Sequence, residues 1–421
     1  MPRVLTFFAI LVPVVAVFLV CRSFDVAAHL QLSWPLASHP DSPVDDAQFH
    51  VDVPSAGVAS DSGILGHGIV VAETGDGGAK HQFRRRIVAV GDLHGDLPNA
   101  HKVLQMAGVV DETGQWSGGV DFFVQTGDII DRGDDTIKLY DWMDQLRGEA
   151  KAKGGVVLSH LGNHEWMNVI GDWRYVHASE IHTFGSAQER QKMLMTGRIG
   201  KTWAGNYTTT SRLPLHPSLG PPNTDYDPSL LSSLSHAAVS FVHGGLAPNY
   251  PDLTPFPSRI NNLGHTLLRK LQHRNPPPAP HPPNPYPGLP HDATPAEHRL
   301  YGTDGPLWYR GWALDSEAKA CKAVDDVLQR TGTRRMIMGH TPDFEKIVSR
   351  CNGKIIIIDT GISHAYGGVL SALSIDYTLT PLPKTEGSGE KQWREREVVT
   401  ALYMDRQDVL AISEQDVVGD F

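Results

Sequence analysis

A short apolar run that ends abruptly in glycine, aspartate and histidine constrains the fold of this chain more than any other stretch. Ile87 to Val90 is apolar and rich in β-branched residues, which is typical of a buried strand, and GDLHG at residues 91–95 interrupts it. We therefore expect Asp92 and His94 to project from the C-terminal end of a strand, where open α/β sheets bind their ligands. Taken alone, the pattern would equally fit an aspartate that caps the next helix beside an exposed histidine.

The same arrangement, a polar side chain next to glycine at the end of an apolar run, recurs along the chain. The further motifs are GDIIDRG at residues 127–133, GNHE at residues 162–165, HGG at residues 243–245 and the pair Gly339-His340. Each of them alone could be a helix cap or a hydrogen-bonded core histidine. All of them together, each at a predicted strand end, are hard to explain by packing and predict one shared site.

The motifs supply candidate metal ligands without any thiolate, which favours Mn, Fe or Zn. The candidate ligands are Asp92, His94, Asp128, Asn163, His243 and His340. They are too many for one open tetrahedral site and suit a pair of ions about 3.5–4 Å apart. Asp128 is the natural bridging carboxylate. Asp92 and His94 would complete the ligand set of one ion, and Asn163, His243 and His340 would complete that of the other. A bridging hydroxide would then attack phosphorus in line.

Two arginines and a histidine complete the candidate site. Arg132, in the GDIIDRG motif, and Arg310, in the sequence LWYRGW, could each bind two phosphate oxygens through the guanidinium fork. His164 could protonate the leaving oxygen as a general acid, with Asp131 orienting its imidazole ring. For Arg310, a second interpretation is a cation–π contact with the neighbouring aromatic residues.

From residue 87 onward, short apolar runs alternate with amphipathic segments, which predicts an α/β layered domain. Strands are predicted at residues 87–90, 121–125, 155–158, 238–242, 335–338, 354–358, 373–375 and 398–404, with a further short strand near 68–72. Helices are predicted at residues 97–108, 135–152, 187–196, 263–273 and 316–331. Residues 213–229 look inserted, and residues 384–397 are predicted to form a charged loop.

Taken in order, GDLHG, GDIIDRG, GNHE, HGG and Gly339-His340 resemble the motifs of the phosphoprotein phosphatase family of metallophosphoesterases. The resemblance runs from about Arg85 to Ile375. It implies the ligand and catalytic roles given above, and a calcineurin-like fold in which helices flank a central β-sandwich with the metals at its loop end. The stretches FVHGGL, PLWYRG and IIIDTGISHAYGGVLSAL are similar to those of the Shewanella-like branch, some members of which prefer phosphotyrosine.

The resemblance therefore implies a metal-dependent phosphomonoesterase that acts on phosphoproteins. The alternative within the same fold is a nucleotide or dinucleotide polyphosphate hydrolase. A third class, an inactive scaffold that only binds partners, is disfavoured because every candidate ligand is present. The formal net charge of -10 argues against binding to nucleic acid, which needs a basic surface.

The N-terminal region predicts delivery to the secretory pathway. Residues 4–21 are almost unbroken apolar sequence between Arg3 and Arg22, as in a signal peptide or a signal anchor. We assign residues 1–22 to this leader, 23–83 to a linker or stalk, and 84–421 to the catalytic domain. That domain would be lumenal or extracellular, and either secreted or held at the membrane by residues 1–22.

Three features leave alternatives open. The proline-dense segment 275–290, NPPPAPHPPNPYPGLP, cannot form a helix or a central strand and would be a passive surface loop or a partner-binding segment. Cys321 and Cys351 could pair in an oxidising compartment or remain two free thiols. Residues 84–86, three consecutive arginines, could be a solvated strand entry or a site of proteolytic processing.

Overall fold

The computed structural model describes residues 69–72, 81–230, 232–383 and 390–421. The predicted leader, residues 1–22, and most of the predicted linker lie outside these ranges. Among the described residues, no helix combines the length and the apolar character needed to cross a bilayer.

The described residues form α-helices and β-strands in alternation over the first half of the chain and mainly strands at its C-terminal end. The strands are β1 (Ile69–Ala72), β2 (His81–Val90), β3 (Phe122–Gln125), β4 (Val156–His160), β5 (Tyr207–Thr208), β6 (Thr210–Pro214), β7 (Ala238–Val242), β8 (Arg335–Met338), β9 (Val348–Arg350), β10 (Ile355–Ile357), β11 (Ser371–Pro381), β12 (Gln392–Tyr403) and β13 (Gln407–Val418). The helices are α1 (Leu97–Met106), α2 (Thr136–Ala152), α3 (Asn163–Ile170), α4 (Ala178–Thr183), α5 (Ala187–Met195), α6 (Arg198–Asn206), α7 (Ser258–Gln272), α8 (Pro295–Tyr301), α9 (Gly311–Leu314) and α10 (Glu317–Thr331).

The strands form two sheets. The first has the order β13-β12-β11-β2-β3-β4-β5, and the second has the order β6-β7-β8-β10-β9. The pairs β2–β3, β3–β4, β7–β8 and β8–β10 are parallel, so the C-terminal ends of β2, β3 and β4 lie along one edge of the first sheet, and those of β7 and β8 along one edge of the second. The motifs predicted from the sequence follow these five strand ends.

The two sheets pack face to face, and alternate residues along each strand point to opposite faces. Ile87 and Ala89 of β2 belong to a core cluster shared with Phe241 of the second sheet. Val88 and Val90, one position on, pack in a separate cluster that includes residues of α1 and α2. Because both faces are covered there, the stretch Ile87–Val90 is apolar throughout. The predicted central β-sandwich with flanking helices is confirmed.

Strand β2 is longer than its apolar run. Its N-terminal half pairs antiparallel with β1 and its C-terminal half pairs parallel with β3, so the sheet extends into the predicted linker. The arginine triplet therefore lies inside a paired strand. Arg85 is buried, donates to Pro214 O at 2.7 Å and lies over the Phe122 ring, whereas Arg84 is exposed, so the predicted solvated strand entry holds for only part of the triplet.

Two segments predicted as irregular are partly strand. Residues 210–214 form β6, although an insertion was expected from residue 213, and residues 392–397 form the start of β12 instead of a charged loop. The prediction for residues 392–397 failed because the buried face of β12 carries paired charges. Glu395 and Glu397 are buried in ion pairs with Arg334 and Arg335, so charge in this part of the sequence does not indicate exposure.

The structure settles the open question about the cysteines. Cys321, in α10, forms a disulfide with Cys351, which follows β9. Their Cα atoms lie 5.2 Å apart. Segment 275–290 is a loop without helix or strand, as predicted, and lies against the chain that follows α3.

Candidate active site

The predicted metal ligands converge from both sheets. Asp92 and His94 follow β2, Asp128 follows β3, and Asn163 starts α3 just after β4; His243 follows β7 and His340 follows β8. All of them are buried. The backbone N of His340 lies 3.2 Å from Asp92 Oδ1, so the two sheets are joined by a hydrogen bond within the site itself.

The loops that carry these residues have unusual backbone conformations. Five side-chain-bearing residues adopt positive φ: His94 (43°), Asp128 (55°), Asp131 (72°), Arg132 (70°) and His340 (69°). The GDLHG and GDIIDRG loops also interlock, since the backbone N atoms of residues 93 and 94 both donate to Asp128 O. Gly95 and Gly133 pack backbone against backbone where the loops cross, and a Cβ on either would collide with the other. This explains why both motifs end in glycine.

The imidazole rings are oriented as metal ligands require. His94 Nδ1 lies 3.0 Å from Ile130 O, and His243 Nδ1 lies 3.0 Å from Thr126 O. Because a carbonyl oxygen can only accept, each Nδ1 carries the proton and each Nε2 is directed to the cluster of predicted ligands. The buried Nε2 of His340 has no hydrogen-bond partner among the described residues.

These imidazole nitrogens surround one carboxylate. Asp128 Oδ2 lies 3.2 Å from His243 Nε2 and 3.7 Å from His94 Nε2. Asp128 belongs to two groups whose ligand atoms lie within 4.8 Å of one another, one with His94 and His164 and one with His243 and His340. This donor set, with an orphaned imidazole nitrogen in it, fits a metal site in which Asp128 is shared.

The electrostatics of the site also favour a cation. Burial raises the pKa of Asp92 well above its usual range, and the nearby Asp359 and Asp128 raise it further. Burial likewise raises the pKa of Asp359 to about 6 and lowers that of His94 to about 4. A bound divalent ion would stabilise the ionised carboxylates and the neutral imidazoles together.

The proposed acid and its partner are in contact. His164 Nδ1 lies 2.7 Å from Asp131 Oδ2, and Asp131 is fully buried behind the imidazole ring. His164 Nε2 points toward the ligand cluster and lies 3.8 Å from Asp128 Oδ2. The contact between His164 and Asp131 that was predicted from the sequence is therefore present in the structure.

The two arginines line the cavity in different ways. The guanidinium of Arg132 lies 4.1 Å from the Tyr175 ring centroid and 5.3 Å from that of Tyr366, and it makes no ion pair within the described residues. Arg310 Nη1 donates to His340 O at 2.8 Å and to Thr341 Oγ1 at 3.0 Å. No cation–π contact joins Arg310 to its aromatic neighbours in the described ranges, so that second interpretation gains no support.

The cavity over the ligands has a volume of about 240 Å³. Besides the predicted residues it is lined by Tyr175, Trp308, Pro342, Asp359 and Tyr366, whereas Asp131 and His243 lie beneath its surface. Sequence reasoning gave none of these five a catalytic or ligand role, although it expected Asp359 in a turn that supports the site. Tyr366 and Asp359 lie in the stretch IIIDTGISHAYGG, and Trp308 in LWYRGW, so the motifs contained a signal for three of them. Tyr175 lies in no motif.

Glu165 of the GNHE motif was also not assigned, and it holds the central loop in place. Its Oε2 accepts from Asp128 N at 2.9 Å, and its Oε1 accepts from Ile129 N at 2.8 Å and from the Tyr140 hydroxyl at 2.9 Å. Burial raises the pKa of Glu165 to about 7. Because the Glu165 carboxylate accepts hydrogen bonds from the backbone amides of the Asp128 loop, it fixes the position of the Asp128 carboxylate.

Fold and site together define a metallophosphoesterase, and comparison with known proteins supports this class. The sequence profile of the calcineurin-like phosphoesterase family matches residues 85–344, and the chain belongs to that family. The predicted calcineurin-like fold is thereby confirmed, and the chain is a phosphatase-type enzyme.

Individual similar proteins show which branch of the family this chain resembles. The chain is 36% identical over 304 residues to an uncharacterized protein of Schizosaccharomyces pombe, covering 70% of this chain and 79% of that protein. It is 29% identical over 310 residues to Shewanella-like protein phosphatase 2 of Arabidopsis thaliana, covering 66% and 71%. It is 27% identical over 289 residues to Shewanella-like protein phosphatase 1 of Plasmodium berghei, covering 67% and 68%. The predicted resemblance to the Shewanella-like branch is confirmed.

Solved structures agree on the fold. A mutant cold-active protein tyrosine phosphatase aligns with a TM-score of 0.55 at 22% identity, over 77% of this chain and 80% of that chain. The cold-active protein-tyrosine phosphatase of a psychrophilic Shewanella species aligns with a TM-score of 0.51 at 22% identity, over the same shares of the two chains.

Proposed function

We propose that this protein is a dinuclear-metal phosphomonoesterase that dephosphorylates phosphoproteins and prefers phosphotyrosine. The observation that carries the proposal is the guanidinium of Arg132, which makes no ion pair among the described residues and lies between two tyrosine rings at the cavity. A half-buried arginine in the cavity wall without a carboxylate partner is suited to an incoming anion. The aromatic walls formed by Tyr175, Tyr366 and Trp308 suit a phenyl ring behind that anion.

Each predicted residue has a role in this reaction. The six ligands would hold two ions of Mn, Fe or Zn, which supply an activated water as nucleophile when bound. Arg132 and Arg310 would bind the phosphoryl oxygens and stabilise the charge of the transition state. His164 would protonate the leaving oxygen, and Asp131 would hold its ring in the productive tautomer and orientation.

The test is hydrolysis of matched phosphotyrosine and phosphoserine peptides by the full chain, with and without added Mn²⁺, and with Asp128→Asn as the inactive control. We expect metal-dependent release that favours phosphotyrosine and is absent from the variant. Hydrolysis of diadenosine tetraphosphate in preference to both peptides would instead support the polyphosphate hydrolase predicted as the alternative.

We further propose that the catalytic domain lies in a lumenal or extracellular compartment of the secretory pathway. The apolar leader at residues 1–22 supports this, and so does the Cys321–Cys351 disulfide, because disulfides persist in oxidising compartments. Protease added to intact microsomes should leave the catalytic domain uncut, and it should cut that domain once detergent is added. Digestion without detergent would contradict the proposal.

A further inference from the structure

A buried cation lies behind the His164–Asp131 pair, on the side away from the cavity. Arg190 of α5 is fully buried, and its Nη1 donates to Asn168 Oδ1 at 2.7 Å. Its Nη2 lies 3.1 Å from Glu180 Oε2 and 3.5 Å from Asp131 Oδ1. The guanidinium therefore links the aspartate behind the proposed acid to a second carboxylate.

The two oxygens of Asp131 are engaged separately. Oδ2 is directed to His164, whereas Oδ1 accepts from Asn168 Nδ2 at 2.9 Å and faces Arg190. With both oxygens held, the carboxylate cannot rotate about its Cβ–Cγ bond without losing contacts on each side. The direction of the His164 ring is thus fixed by groups that never reach the cavity.

Stability alone gives little reason for this arrangement. Burying a guanidinium with carboxylates carries a large desolvation penalty, and well-packed apolar side chains of similar volume are often as stable or more so. Burial also raises the pKa of Glu180 to about 7, which shows the cost of placing this carboxyl away from water. A buried ionic network directly behind a reacting group fits a role in orientation better.

The proline-dense segment 275–290 supports Arg190 from outside. The Trp173 ring lies 4.6 Å from the Arg190 guanidinium, and Trp173 N donates to His281 O at 2.7 Å. His281 N in turn donates to Gly171 O at 2.8 Å, and Gln191, next to Arg190, donates to Pro278 O at 2.6 Å. The segment therefore holds both the aromatic ring under Arg190 and the helix that carries it.

We propose that Arg190 is a positioning residue that acts on His164 through Asp131, and that segment 275–290 keeps Arg190 in place. This rests on the proposed role of His164 as the proton donor. A donor that is slightly misdirected protonates the leaving oxygen poorly, although substrate still binds and the ligand cluster is unchanged. The defect should therefore appear in kcat and should depend on the leaving group.

The test compares phenyl phosphate, whose leaving group needs a proton, with p-nitrophenyl phosphate, whose leaving group departs readily as an anion. Arg190→Met should lower kcat for phenyl phosphate about 10–100-fold, the range typical of losing a partner just outside the reacting groups. It should leave kcat for p-nitrophenyl phosphate, both KM values and the bound metal, measured by elemental analysis, close to those of the wild type.

Arg212→Met is the matched control. Arg212 is also a buried arginine, but it donates to Gly332 O at 3.1 Å, away from the cavity. Its loss should lower the melting temperature without changing the ratio of the two kcat values. If Arg190→Met does not fold, Arg190→Lys, which keeps the charge but not the fork, should show an intermediate change in the ratio.

An unchanged ratio in a folded, metal-loaded Arg190 variant would overturn the proposal, and so would an equal change in Arg212→Met. Failure of the proposed function looks different. In that case the wild type would hydrolyse neither phosphate, or His164→Ala would slow both substrates equally.

Discussion

At the scale of single residues, Asp128 is where the two halves of the site meet, because its Oδ2 faces both His94 and His243. We expect Asp128→Asn to lose bound metal and to lower turnover of phenyl phosphate by at least about 100-fold, since both ions would lose an anionic ligand. Elemental analysis and steady-state kinetics check this together. Normal metal content with normal turnover would show that Asp128 is not the shared ligand.

Arg310 tests the phosphate-binding role separately. One of its nitrogens is held by His340 O and Thr341 Oγ1, so the rest of the fork is presented to the cavity in a fixed orientation. Lysine keeps the charge but cannot form two parallel bonds, and a lost charged hydrogen bond of about 1.5–3 kcal/mol corresponds to roughly a 10–150-fold fall in kcat/KM. Kinetics of Arg310→Lys identical to those of the wild type would contradict this role.

His160 lies between the two sheets, where its Nδ1 is 2.9 Å from Gln125 O and its Nε2 is 2.9 Å from Ser211 Oγ. Burial lowers its pKa from 6.5 to about 4. Between these values the unfolded chain binds more protons than the folded one, so the free energy of unfolding falls as the pH drops through this window. The melting temperature should decrease from pH 6.5 to 4.5, and less steeply in His160→Gln; equal slopes would contradict the assignment.

The residues of the site differ in whether a sequence motif marks their position. Asp92, Asp128 and His243 could be predicted because a buried strand and a glycine mark the position of each. Tyr175 and Arg190 could not, because their roles arise from contacts with segments distant in sequence. From the sequence alone, Arg190 would be assigned as a surface arginine on an amphipathic helix. Only the structure shows that Asp131 and Glu180 surround it.

At the scale of secondary-structure elements, apolar content predicted the central strands well, since both faces of β3, β7 and β8 are buried. The outer strands were harder. β6 carries the buried Arg212, which is hydrogen-bonded to Gly332 O, and β12 carries Glu395 and Glu397 in ion pairs with Arg334 and Arg335, where β8 begins. The sequence does not show which buried charge pairs with which. Charged residues that are neutralised inside the sandwich therefore resemble the charged residues of a loop.

The disulfide connects α10 to the turn after β9, and it closes a loop with a sequence separation of 30 residues. We expect the double variant Cys321→Ser, Cys351→Ser to lower the free energy of unfolding by about 2–4 kcal/mol. Turnover at 25 °C should not change, because neither cysteine lines the cavity. Urea denaturation measures the difference. Two free thiols in the native wild-type protein would show that the bond does not form.

At the scale of the whole molecule, the site lies where the two sheets meet, and each sheet contributes only part of the ligand set. Asp92 and Asp128 come from the first sheet, and His243 and His340 come from the second. A bound ion would therefore cross-link the sandwich, in addition to the hydrogen bond from His340 N to Asp92.

Removing metal should thus weaken the whole domain. An ion that binds only the folded state adds about 2.7 kcal/mol at 100 times its dissociation constant. Chelation should lower the melting temperature and speed hydrogen exchange at residues 122–130 and 336–341 together, and Mn²⁺ should reverse both effects in the wild type but not in Asp128→Asn. Faster exchange in only one of the two segments would show that the ion does not bridge the sheets.

The positive φ angles at the metal loops have a consequence for how this protein can be altered. His94, Asp128, Asp131, Arg132 and His340 hold conformations that glycine adopts freely and other residues adopt at a cost of about 1–3 kcal/mol each. A library of the metal-free protein screened only for heat resistance would therefore enrich glycine at these positions, and each gain would remove a side chain that the site needs. Selection for the stability of the metal-free chain and selection for turnover should favour different residues at these five positions, so a thermostable enzyme has to gain its stability elsewhere in the molecule.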